Sequence, residues 1–271
     1  PMGGNKIALN PEVFAKDENI GIAYGMGLTA EKVAEQWNIS REDQDAFAVE
    51  SHRRASAAIA GGEFGQEILP CTVLERSPDS RTMQVRIRER VVENDEGPRP
   101  DSSLQALAKL KPVFAAKGSV TAGNSSQMSD GAGAVLLMSE RSVKRLDLKP
   151  LARFAGYAVA GVPPQIMGIG PVAAIPRALA LAGLQQADLD WIELNEAFAA
   201  QSLAVIRDLG LDPAKVNPLG GAIALGHPLG ATGAIRVATL VHGLRRRGGK
   251  YGMVTMCIGT GMGAAGVFEA L

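Results

Sequence analysis

Apolar residues first recur at helical spacing over Leu28, Val33 and Trp37. They do so again in the stretch opened by Ser40-x-x-Asp43, which has the form of a capping box. The spacing predicts amphipathic, half-buried helices over 28–37 and from Ser40 to about Ala60, the second stopped by Gly61-Gly62. Ahead of them, residues 1–24 mix Gly, Asn and Pro with short apolar pieces and predict loop with at most a brief helix. Between Gln84 and Val92 the period falls to two. Val85, Ile87 and Glu89 alternate with Arg86, Arg88 and Arg90, a strand with one basic face. A short helix over 103–109 follows a Pro-rich turn that holds Arg99. The run 134–138 is apolar throughout and sits behind Gly-rich turns, which predicts a strand over 133–139 buried on both faces. A short helix over 139–148 leads to Lys149-Pro150, read as a domain junction.

From Leu151 the patterns alternate: strand 152–160, helix 172–182, strand 190–194, helices 196–209 and 230–247, then strands 251–257 and 263–269. Strands separated by stretches long enough for crossover helices predict an α/β layer packed on a mixed sheet. Gly131-Ala132-Gly133-Ala134-Val135 echoes Gly263-Ala264-Ala265-Gly266-Val267. That faint repeat would make 133–139 the last strand of an earlier copy of the unit that ends at Leu271.

Composition narrows the classes. The chain has 271 residues, 46% hydrophobic and 21% charged, enough for a sizeable core and more than one average domain. Acidic and basic residues balance at 28 each, so no global field recruits nucleic acid or an anionic membrane. Two cysteines, Cys71 and Cys257, suit free thiols in a reducing, cytoplasmic setting. No uninterrupted apolar run approaches the roughly 18 residues of a membrane span, and no signal pattern opens the chain. The sequence begins at Pro1 rather than Met, as expected of a processed or truncated piece.

The candidate chemistry lies in the last third. Asn195-Glu196-Ala197-Phe198-Ala199 follows a strand, Gly226-His227-Pro228 sits inside the Gly-rich run 220–233, and Cys257-Ile258-Gly259-Thr260-Gly261-Met262-Gly263 follows another strand. Each block puts a reactive group where backbone can approach closely. A Cys, a His and an Asn can divide nucleophile or proton shuttle, base and oxyanion support among them, which is the outfit of acyl transfer through thiols. Taken alone, Cys257 reads as a buried strand-end thiol.

Together and in this order the three blocks resemble the thiolase family, the acetyl-CoA acetyltransferases and 3-ketoacyl-CoA thiolases. The resemblance implies two βαβαβαββ halves, with a mostly helical loop domain inserted in the first. This chain would comprise the loop domain (1–117), the tail of the first half (118–140) and the complete C-terminal half (151–271). The opening strands of the first half would be missing, and with them the cysteine that carries the acyl group. No cysteine here matches that one, since Cys71 lacks its Ser-Gly context.

The resemblance further implies roles. His227 would be the base, Cys257 the acid/base at the substrate α-carbon with a lowered pKa, and Asn195 would orient a water that, with His227, forms one oxyanion hole. The Gly259 N–H would serve the second. Ser126 would lie near pantetheine, Arg99 near the nucleotide, and Met26, Met167 and Phe198 would make apolar contacts. Gly25 stands where some biosynthetic relatives have a histidine, and Thr260 departs from the cysteine block. No metal and no cofactor are implied beyond the coenzyme A thioester substrate, and the implied assembly is a homodimer or homotetramer.

Elsewhere the plain readings prevail. His52 reads as a polar helix position, His242 as an outward helix residue and Arg245-Arg246-Arg247 as a C-terminal cap. Glu196 is either support for Asn195 or a first-turn helix acid. The leading expectation is thiolase-type acyl transfer, cleaving 3-ketoacyl-CoA or condensing acetyl-CoA. A ketoacyl synthase is disfavoured by the Cys257 block. The alternative from another class is a truncated, non-catalytic homologue that binds CoA or pairs with thiolase subunits.

Overall fold

The computed structural model describes residues 10–271. The start of the loop expected over 1–24 lies outside the described residues, and its remainder forms two short 3-10 turns, Pro11–Ala15 and Asp17–Ala23. Helices α1 (Met26–Gln36) and α2 (Arg41–Ala60) follow as expected. Ser40 Oγ accepts the Asp43 N–H at 3.0 Å, so the side-chain cap read from the sequence forms. Glu31 pins α1 to the loop beyond, accepting the N–H groups of Ser119 and Val120.

The period-two stretch is β2 (Gln84–Val92), and it pairs antiparallel with β1 (Cys71–Asp79). β1 was not foreseen, because its apolar positions do not alternate and Pro78 interrupts it. The ribbon's basic face holds Arg86, Arg88 and Arg90, of which Arg90 pairs with Glu75 and Glu96. After α3 (Leu104–Leu107), residues 118–139 run as extended loop to α4 (Glu140–Arg145).

The strand expected over 133–139 does not form. The segment is irregular and exposed, with Leu136 and Leu137 at 83% and 77%. A run apolar enough for a buried strand becomes one only where neighbouring strands complete its ladder. Among the described residues no strand lies beside it.

The second half is built on a four-stranded sheet in the order β3-β6-β5-β4. β3 (Ala152–Gly161) and β5 (Tyr251–Ile258) each pair antiparallel with β6 (Met262–Ala270), and β4 (Trp191–Leu194) pairs parallel with β5. Where a fifth strand of a βαβαβαββ unit would lie, a single parallel bridge joins Ile192 to Val216. α5 (Gly170–Ala182) and α6 (Ala199–Leu209) help close the main core around Ile175, Leu189, Leu194, Val205, Met253 and Val267. The stretch Pro164–Ala182 is long and apolar enough to cross a membrane, yet its Ala174, Ile175, Ala178 and Leu179 fill that core.

α7 (Ala222–Leu225) is a single turn. α8 (Thr232–Arg247) covers the β4 end of the sheet, where Leu240 and Leu244 pack with Trp191 and Val254. Gly243 lets α8 approach, because a Cβ there would lie 2.5 Å from the Trp191 ring.

Candidate active site

Parallel pairing of β4 with β5 brings two of the sequence blocks to one end of the sheet. Leu194 is level with Thr255, and Asn195 N donates to Thr255 O at 3.0 Å. Asn195 therefore leaves the end of β4 beside the end of β5, which carries Cys257 two residues further on. Ligand-facing groups at the carboxyl ends of parallel strands follow the general rule for open α/β sheets.

The histidine block reaches the same end by a different route. Gly226 holds φ at +89°, a turn that only glycine adopts easily, and His227 N donates to Gln127 O at 3.1 Å. Gln127 in turn donates from Nε2 toward Gly97 O, Ile223 O and Ala224 O, tying the 121–129 loop to α7. The loop fastens the asparagine block as well, through Ser126 N to Ala197 O and Ala199 N to Asn124 O. The polar loop that precedes the unformed strand thus staples both motifs together.

His227 Nε2 lies 3.3 Å from Asn195 Nδ2, and His227 Nδ1 lies 2.7 Å from Thr232 Oγ1. The Thr232 hydroxyl has one proton and donates it to Pro228 O at 2.9 Å. It therefore accepts from Nδ1–H, which leaves the Nε2 lone pair to accept from the Asn195 amide N–H. Burial pushes the imidazole below the usual histidine range, and the positive charge of Arg236 pushes the same way. At neutral pH the ring is neutral, the form a general base requires. Asn195 Oδ1 is buried without a partner, the one polar atom of this trio left unsatisfied.

Cys257 corrects the expectation of a lowered pKa. Burial pushes its thiol up to about 12, so it rests protonated. The backbone N–H groups that the following glycines would supply do not offset the loss of water. Gly259 begins the turn in which Thr260 (φ 70°) and Gly261 (φ 98°) are left-handed, and the space over Gly259 is open.

The remaining expected residues gather unevenly. Phe198 is the N-cap of α6 and meets Phe114 edge to face at 6.1 Å, while Ser126 is half-buried on the adjoining loop. Met167 is buried in the 3-10 turn before α5, and Met26 is 40% exposed at the start of α1. Arg99 is exposed, and its backbone N–H donates to His52 Nδ1 at 3.1 Å. His52 is therefore buried and bonded rather than a solvated helix position.

Glu196 is not a helix acid, since α6 starts at Ala199. It is 2% exposed, and its carboxylate accepts from Ser51 Oγ, Asn217 Nδ2 and Ile223 N, with burial holding its pKa above the carboxylate range. Sequence reasoning missed Thr232, Ser51 and Asn217. Only Thr232 had an available signal, its position at the start of the helix that follows His227.

Comparison with known proteins decides the family. The N-terminal thiolase domain matches residues 12–141 and the C-terminal thiolase domain matches residues 148–270. The chain belongs to the thiolase family. It is 56% identical over 246 residues to the 3-ketoacyl-CoA thiolase of Bacillus subtilis, covering 90% of this chain and 62% of that protein. With peroxisomal 3-ketoacyl-CoA thiolase A of Rattus norvegicus it shares 52% over 269 residues, 98% of this chain and 60% of the relative. The crystal structure of the Bacillus anthracis acetyl-CoA acetyltransferase superposes with a TM-score of 0.86 at 48% identity, over 91% of this chain and 60% of that one. The dimeric peroxisomal thiolase of Saccharomyces cerevisiae gives 0.86 at 45%, over 98% and 64%. This thiolase chain thus spans about three fifths of the length of those relatives.

Proposed function

We propose that the chain supplies the base, the proton donor and the oxyanion donors of a thiolase-type acyl transfer, cleaving 3-ketoacyl-CoA with CoA or joining two acetyl-CoA molecules in a Claisen reaction. The observation that carries this is the chain Asn195–His227–Thr232 at the strand end that also bears Cys257. In the cleavage direction, His227 Nε2 takes the proton of the acyl-accepting thiol, whose sulfur attacks the 3-keto carbon. The Cα–Cβ bond breaks, and the departing acetyl-CoA enolate takes the Cys257 proton. Cys257 thiolate, high in energy because burial raises its pKa, regains a proton from incoming CoA, whose sulfur attacks the acyl-enzyme carbonyl; acyl-CoA forms as the enzyme's thiolate departs and takes back the proton held by His227. A thiol pushed up to about 12 rests in the protonated form that donates to the enolate, and its thiolate recaptures a proton readily.

In this reading a water oriented by Asn195 forms one oxyanion hole together with His227, and the Gly259 N–H contributes to the second. Ser126, Met167, Phe198 and Met26 line the path of the pantetheine, and the exposed Arg99 meets the nucleotide end. The crystal structure of the human mitochondrial 3-ketoacyl-CoA thiolase in complex with CoA, 47% identical with a TM-score of 0.85, supports CoA as the ligand. In this reading neither Cys71 nor Cys257 is the acyl-accepting cysteine, which is supplied from outside these 271 residues. The assembly is a homodimer or a pair of dimers.

A second reading, a non-catalytic relative that binds CoA or pairs with thiolase subunits, draws on the places of the two cysteines. Cys71 lies exposed on β1 and Cys257 ends β5, so neither opens a helix as a nucleophile would. One set of assays separates the readings. The full-length gene product is expected to cleave acetoacetyl-CoA, and His227→Ala or Asn195→Ala to lower kcat by roughly 10² to 10⁴ with the fold intact. Wild-type rates from either variant would remove the assignment, and CoA binding without turnover by the full-length protein would favour the second reading.

A further inference from the structure

Behind the His227–Asn195 contact lies a second polar link between the same two elements. On β4, Trp191, Glu193 and Asn195 share a face by the two-residue period, and on α8, Thr232 and Arg236 share one by the four-residue period. Asn195 and Thr232 meet through His227. One step back, Arg236 Nη1 lies 3.4 Å from Glu193 Oε2, with the two side chains 3% and 0% exposed. Glu193 Oε1 also accepts the Trp191 indole N–H at 2.7 Å. Two steps back, Trp191 fills the gap that Gly243 leaves.

We propose that Arg236 and Glu193 are positioning residues for the catalytic base, fixing α8 on β4 so that His227 meets Asn195 with its Nε2 lone pair forward. The proposal rests on the reading of His227 as that base.

A buried ion pair is a poor source of net stability, because desolvation of both charges offsets their attraction. An apolar pair of the same volume would hold helix and strand together as well. What the pair adds is direction, since its charge-assisted hydrogen bond has one registry and a mismatch strands a buried charge. Thr232 lies one turn from Arg236, so an axial slip of α8 would carry the hydroxyl away from His227 Nδ1. The guanidinium also faces His227, Glu67 (bonded to Thr239 of α8), Asp95 and Glu196, opposing protonation of the imidazole and favouring the charged carboxylates. Removing it should therefore alter both the geometry and the titration of His227.

The test uses the full-length gene product with Arg236→Met, Arg236→Lys and Glu193→Gln. Thiolysis is followed against pH, and imidazole tautomers are read by nitrogen NMR on histidine-labelled protein. Arg236→Met is expected to lower kcat about ten- to a hundredfold with KM within about twofold, in keeping with a small misplacement of a catalytic group. It should also move the acid limb of the pH profile upward and lose the single Nδ1–H tautomer. Arg236→Lys should restore most of the rate. If Arg236→Met does not fold, the Lys and Gln variants carry the test through the same tautomer and pH readouts.

Unchanged kcat, pH profile and tautomer in folded variants would overturn the proposal, as would a loss of rate with the acid limb and tautomer untouched. Failure of the functional reading is separable. A wild-type protein without thiolysis would remove that reading, while the tautomer measurement would still decide whether the pair orients His227.

Discussion

Cys257 shows how one residue's environment inverts an expectation drawn from its neighbours in sequence. Glycines after a cysteine offer backbone N–H groups, but β5 carries this thiol out of water and its pKa rises to about 12 instead of falling. Iodoacetamide reacts with thiolate, so at pH 8 Cys257 is expected to label far more slowly than the exposed Cys71. The rate should still be climbing above pH 10. Timed alkylation with peptide mapping reads both sites at once, and equal labelling at pH 8 would show that water reaches the thiol. His227 illustrates the reverse case, in which Thr232 and Asn195 complete what the motif began.

At the scale of elements, the seating of α8 on β4 governs the site. Glycine inside a helix costs about 1 kcal/mol relative to alanine, so Gly243→Ala on an open helix would stabilise. Here the new Cβ would meet the Trp191 ring at 2.5 Å, and overpacking of that kind costs about 1 to 3 kcal/mol. A lowered melting temperature is expected, and a raised one would mean that the helix moves freely over the strand.

The same face of α8 holds Glu67 through Thr239, with burial raising that carboxyl to about 7 from an ordinary value near 4.5. Between those values the folded protein keeps a proton that the unfolded chain has lost. Stability therefore falls as pH rises through this window. From pH 4.5 to 7.5 the melting temperature of the parent should fall relative to that of Glu67→Gln, whose side chain does not titrate. A curve identical to the parent's would place Glu67 in water.

For the whole molecule, the decisive feature is the surface left uncovered. Val135, Leu136, Leu137 and Met138 are 39–83% exposed, and the edge strand β3 presents Phe154, Tyr157 and Val159 at 51–54%. Exposed apolar segments and unpaired strand edges each drive association. The 271-residue chain expressed by itself is therefore expected to bind a hydrophobic dye and to elute as a broad, concentration-dependent species. Leu136→Glu with Leu137→Glu should reduce both effects. A monodisperse parent chain without dye binding would show that 134–138 packs on the body of the protein.

The sequence alone determined the alternation of strand and helix after Leu151, the helix caps at Ser40 and Gly61-Gly62, and the three blocks that carry the chemistry. These depend on local periodicity, on capping groups and on residues that must stand at particular turns. Tertiary structure decided the rest. Whether 133–139 becomes a strand depends on neighbours that its own sequence cannot supply. The partners of Glu196 come from Ser51 and Asn217, 145 and 21 positions away, and the closing of the His227 ring between Asn195 and Thr232 depends on which strand lies beside which helix. The thiol of Cys257 was legible as reactive by motif, but its protonation state follows from burial, a property of the packed sheet.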